Sequence, residues 1–267
     1  VMVLPMTNLG TRGDGHLFEA SVPKGQEGFF ETFVRLHGKN GYTTVADSSL
    51  LVGVTPITDE TRVLSFANNQ LPAKDKETLV EAIEAATRAE RLPHYVVNGA
   101  PAEGKLYELL LSGFSGADRT VLWMGEQIGI EAQAHIRAYL ERGGRMLISS
   151  GRFTGMKMAP RFPTEILHAQ RSIARSNGSL RGLDLIRSEP FGTSYSSLSL
   201  LPPAEPMLFD GRYDTAAMRV DTGTFRLVYY PFDLGRLDGG IARSLLQAGL
   251  TYLNVENTAA ASLELDH

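Results

Sequence analysis

The residues best placed for covalent chemistry are two adjacent serines, Ser149 and Ser150, at the end of the apolar run RMLISS, residues 145–150. A serine becomes a nucleophile most readily on a sharp turn from a strand into a helix. That turn needs small residues two positions to either side, and a helix N-terminus to stabilise the oxyanion. Around Ser149 the downstream position is Gly151, but the upstream one is Leu147; around Ser150 the two are Ile148 and Arg152. The segment that follows, TGMKMAPRFP, carries Gly155, Pro160 and Pro163, which oppose a helix. A serine also needs a base, and the chain has six histidines: His16, His37, His94, His135, His168 and His267. His135 falls between Ala134 and Ile136 on an amphipathic stretch, whereas His168 lies in an irregular segment after the serines. Ser149 or Ser150 with His168 is therefore the candidate catalytic set, and its chemistry would be that of a serine hydrolase or esterase.

Other chemistries find less support. The chain has no cysteine, which removes thiolate nucleophiles, thiolate metal sites and disulfides together. No His-Glu-x-x-His or comparable spacing occurs, so neither a metal site nor a cofactor is expected. A polar crevice is a separate possibility. Asn68, Asn69 and Gln70 follow the apolar run RVLSFAN, and Glu126 and Gln127 follow RTVLWMG. At the carboxyl ends of parallel strands such residues could hydrogen-bond a polar ligand, although asparagines also simply make turns.

The elements that must position these residues alternate. RVLSFAN reads as a buried strand, HYVVNG as a second strand, RTVLWMG as a third with almost no polar interruption, as expected when both faces of a sheet are covered, and RMLISS as a fourth. Between them, DKETLVEAIEAATRAE places Leu79, Val80, Ile83 and Ala86 at helical spacing behind Asp75 as N-cap, and GKLYELLLSGF reads as a second helix. GIEAQAHIRAYLERGG makes a third, burying Ile130, Ala134, Ile136 and Leu140 and stopping at Gly143. This alternation predicts an α/β fold with a doubly wound, mainly parallel sheet, its three central strands being RVLSFAN, RTVLWMG and RMLISS.

Residues 1–58 differ in texture, with short aromatic and β-branched runs separated by Gly, Lys and Asn. They read as a small β unit, the end of a β-sandwich, with a hairpin turn at Asn40-Gly41. After Phe153 the pattern offers at most a short helix and a loop, followed by a Ser/Pro-rich excursion, PFGTSYSSLSLLPPAEP. Strands return around Asp210-Gly211 and Thr222-Gly223-Thr224. A final amphipathic helix presents Ile241, Leu245, Leu246 and Leu250. The expected organisation is a β unit over 1–58, an α/β domain over 59–254 and a tail over 255–267.

Composition bounds the partners. With 43% hydrophobic and 21% charged residues the chain can bury a core, and its net charge of -4 lacks the basic footprint of nucleic-acid binding. The arginines at 142, 145, 152, 161, 171 and 175 read as solvated surface. No stretch approaches a membrane span. The chain begins at Val1 and reads as a processed or excised piece, from which any signal peptide could already be gone.

The order RTVLWMG, helix, YLERGGRMLISSGRF, then AAMRVDTGTFRLVYYPFDLGRL with a closing helix resembles the class I glutamine amidotransferase-like, flavodoxin-like fold in its divergent, non-amidotransferase form. Such domains occur beside secreted immune-inhibitor-A-type metallopeptidases, in trehalose-utilisation-type proteins and in one β-galactosidase family. The resemblance covers residues 61–253 and is carried by YLERGGRMLIS and YYPFDLGRL. It implies a scaffold whose nucleophilic cysteine stands after the strand matching RMLISS, where this chain has Ser149 and Ser150. The function expected is a non-catalytic accessory or interaction domain of a larger bacterial protein, extracellular or periplasmic, with adjoining domains as partners. A serine hydrolase and a carbohydrate-associated module are the alternatives.

Overall fold

The structure, a computed structural model, describes residues 7–12, 15–19, 28–32, 35–37, 43–45, 50–54, 60–66, 71–97, 114, 118–124, 130–150, 161–181 and 190–263. The chain divides into two units, residues 1–56 and 57–267. In the first, β1 (Thr7–Arg12) pairs antiparallel with β2 (Gly15–Glu19). There, too, β3 (Gly28–Thr32) pairs with β6 (Leu50–Val54), enclosing the pair β4 (Arg35–His37) and β5 (Thr43–Val45). His37 stands opposite Thr43, so the Asn40-Gly41 dipeptide falls between the paired strands, although residues 38–42 lie outside the described residues.

The second unit is built on one nine-stranded sheet. Its parallel part comprises β7 (Val63–Phe66), β8 (His94–Val97), β9 (Thr120–Met124), β10 (Arg145–Ser149) and β15 (Arg226–Tyr230). Their order in the sheet is β8-β7-β9-β10-β15, all neighbours parallel, which is the flavodoxin-like arrangement. The three strands expected at the centre are thus consecutive. Two helices, α1 (Ala73–Ala89) and α3 (Gly239–Leu263), share a core with Val63, Leu122, Leu147 and Val228 on one face. The alternate residues Leu64, Trp123, Ile148 and Tyr229 point to the other face and are buried as well. The β9–β10 crossover carries α2 (Ile130–Glu141).

Several local expectations change. Helix α1 starts at Ala73 on Pro72, and Asp75 sits inside its first turn, where a carboxylate still suits the helix dipole. In α2 the buried line is Gln133, Ile136 and Leu140, while Ile130 and Ala134 are exposed. Hydropathy alone sets the helix phase wrongly here because its buried face includes a glutamine. Helix α3 continues to Leu263, past residue 254, where a tail was expected. The GKLYELLLSGF segment lies outside the described residues except for Phe114, which is buried beneath the Arg119 guanidinium.

The largest departure follows residue 161. A π-helical turn at Phe162–Ile166 leads into β11 (Ala169–Arg181), which pairs antiparallel with β12 (Pro190–Leu200). With β13 (Glu205–Asp210) and β14 (Thr215–Asp221) these strands extend the sheet beyond β15. The expected loop and Ser/Pro excursion are therefore strands. Serine and arginine give little β-propensity, so ladder hydrogen bonds and neighbours, not local preference, hold them extended.

The double glycine before β10 has two separate causes. Gly143 takes φ +91°, the left-handed conformation that ends α2. Gly144 is excluded from having a side chain by Tyr139, which packs against it. The buried Tyr139 hydroxyl meets the carbonyls of Arg119 at 3.2 Å and Arg145 at 3.1 Å, tying the amino ends of β9 and β10 together. It also accepts from the Arg145 amide at 3.4 Å. Arg145 itself is buried, contrary to its reading as solvated surface. Tyr139→Phe keeps the ring and removes these bonds, so urea unfolding should show a loss of about 1–2 kcal/mol. An unchanged midpoint would show that the hydroxyl merely rests there.

Candidate functional site

All five parallel strands end on the same edge, so their carboxyl ends define the place where an open α/β sheet would bind or react. Ser149 ends β10 opposite Tyr230, the last residue of β15, and Ser150 follows it. Both serines are buried. The chain leaving β15, Pro231-Phe232-Asp233-Leu234, runs beside Ser149 and is hydrogen-bonded to it.

The hydrogen bonds of this corner are specific. The Ser149 hydroxyl donates to the Phe232 carbonyl at 2.8 Å and accepts from the Leu234 amide at 3.0 Å. The Ser150 amide donates to the Tyr230 carbonyl at 3.0 Å, and the Ser196 amide donates to the Pro231 carbonyl at 3.4 Å. Three successive carbonyls of the YYPF stretch are thus each taken by a serine. Pro231 has no amide hydrogen to offer a ladder, which makes a departure from strand pairing natural at that position. Asp233 then opens a 3-10 turn over Leu234–Arg236, its carboxylate accepting from the Gly235 amide at 3.0 Å and standing 3.8 Å from the Arg236 guanidinium. Gly235 fits because a Cβ there would meet Leu71 Cδ1 at 2.5 Å.

His168 is elsewhere. Its backbone, at φ +45°, precedes β11, and its Nδ1 lies 3.2 Å from the Pro202 carbonyl. Its ring faces Phe225 at 6.3 Å between centroids. Phe225 precedes Arg226, which pairs with Arg145 at the amino end of β10, whereas Ser149 stands at the carboxyl end. Four residue steps separate those ends, about 13 Å of extended chain. A general base must come within about 3 Å of the proton it takes. The structure therefore does not bring Ser149 or Ser150 together with His168. His135 is half-buried on α2.

The ligand candidates Asn68, Asn69 and Gln70, following β7, and Glu126 and Gln127, following β9, lie outside the described residues. Among the described residues no three His, Asp or Glu side chains gather in a way that could hold a metal ion. Sequence reasoning missed two buried carboxylates. Asp233 stands beside the serines. Asp210, at the β13–β14 turn, accepts from the Tyr195 hydroxyl at 2.9 Å and from the amides of Arg212 and Asp214 at 2.8 and 3.0 Å. The Asp-Gly dipeptide marked that turn, but nothing in it signals that the carboxylate is buried. Burial also pushes the hydroxyls of Tyr229 and Tyr230 well above the usual tyrosine range. That of Tyr230 donates to the Leu245 carbonyl of α3 at 2.8 Å. The corner is thus packed and hydrogen-bonded internally, and among the described residues no helix is long and apolar enough to cross a membrane.

No protein-family model matches the chain, and no curated protein matches it either. Solved structures do show likeness. An exo-β-1,4-mannosidase from Opitutaceae bacterium strain TAV5 is 10% identical with a TM-score of 0.48, over 72% of this chain and 35% of that one. This chain therefore spans about a third of the mannosidase's length. A protein described as ThuA-like from Bacteroides uniformis is 7% identical with a TM-score of 0.46, over 73% of this chain and 91% of that one. A second protein so described, from Parabacteroides merdae, is 12% identical with a TM-score of 0.41, over 73% and 90%.

Proposed function

We propose that this chain is a non-catalytic accessory or interaction domain that keeps an amidotransferase-like α/β scaffold and serves a larger bacterial protein outside the cytoplasm. The observation that carries the reading is the state of Ser149. Its single hydroxyl proton is committed to the Phe232 carbonyl and its lone pair receives the Leu234 amide, so both functions of the group are spent on holding the chain after β15. A serine nucleophile instead shares its proton with a base and keeps an approach open to substrate. At this serine the neighbour is backbone, and the candidate base is on the opposite edge. The absence of cysteine from the chain removes the nucleophile that the resembled enzymes use.

The test is labelling with a fluorophosphonate probe, read by intact mass. No adduct is expected. An adduct mapped to Ser149 or Ser150 and abolished by His168→Ala would replace this proposal with a serine hydrolase. The full-length gene product tests the accessory role: a peptidase, glycosidase or anchor domain joined to these residues supports it, and a chain ending at this domain opposes it.

A further inference from the structure

We draw no further inference here: the strongest candidate, the exposed apolar stripe of Ile130, Ala134 and Ala138 along α2, is an unpartnered helix face, and nothing in the structure shows what covers it.

Discussion

Replacing Gly144 with alanine is expected to destabilise the α/β unit by more than about 3 kcal/mol, and replacing it with valine to prevent folding. A Cβ at this position would stand 2.4 Å from Tyr139 Cε1, 2.6 Å from Cδ1 and 2.7 Å from the Tyr139 carbonyl oxygen. The first two atoms belong to a ring that is itself fixed by hydrogen bonds to β9 and β10, and the third to the backbone of α2. None can retreat without moving an element. Gly143 provides the internal comparison. A Cβ there would meet only the Thr224 carbonyl, at an ordinary 3.7 Å, so Gly143→Ala bears conformational strain alone, about 1–2 kcal/mol. Gly143→Asn should cost less still, because asparagine tolerates the left-handed region. Urea midpoints for the three variants should rank in that order, with Gly144→Ala the least stable. The steric argument is lost if Gly144→Ala proves as stable as Gly143→Ala. Adding Tyr139→Ala should not rescue it, since the carbonyl at 2.7 Å remains.

That pair of glycines also shows how far the sequence could be read. Gly143 was legible as a helix stop because the requirement is local: a periodic apolar pattern ends and a left-handed residue must follow. The need at Gly144 arises from a ring packed against it, and no spacing rule reports such contacts. The same divide runs through the fold. The central parallel strands β7, β9 and β10 were legible because both their faces are buried and their residues are nearly all apolar, as in TVLWM and RMLIS. Strands β11 and β12 were not, because AQRSIARSNGSLR and PFGTSYSSLSL obtain their extended form from pairing with each other. At the site, the serines were legible as strand-ending polar residues, and the elbow spacing already spoke against them as nucleophiles. Their partners were not legible. Phe232 and Leu234 lie more than eighty residues downstream and present backbone atoms, which carry no sequence signature.

Ser149→Ala is the second change with a large expected effect, a loss of roughly 2–4 kcal/mol of stability. The substitution leaves the Leu234 amide hydrogen and the Phe232 carbonyl facing a methyl group in a place closed to water, and each unsatisfied buried group costs about 1–3 kcal/mol. Ser149 is 1% exposed, so solvent cannot replace the lost partner without opening the turn that follows β15. Ser149→Cys should recover little, because a thiol is a weak donor and a weak acceptor. Here the structural and catalytic readings of the same residue predict opposite results. A serine maintained for reactivity is commonly neutral or unfavourable for stability, and its removal leaves a fold unchanged or firmer. A serine that fastens two chain segments weakens the fold when removed. Hydrogen exchange resolves the matter at a single atom: the Leu234 amide should be strongly protected in the wild type and should exchange much faster in Ser149→Ala, while amides within β9 change less. A stable Ser149→Ala protein with an unaltered Leu234 amide would remove the structural role and return Ser149 to consideration as a nucleophile.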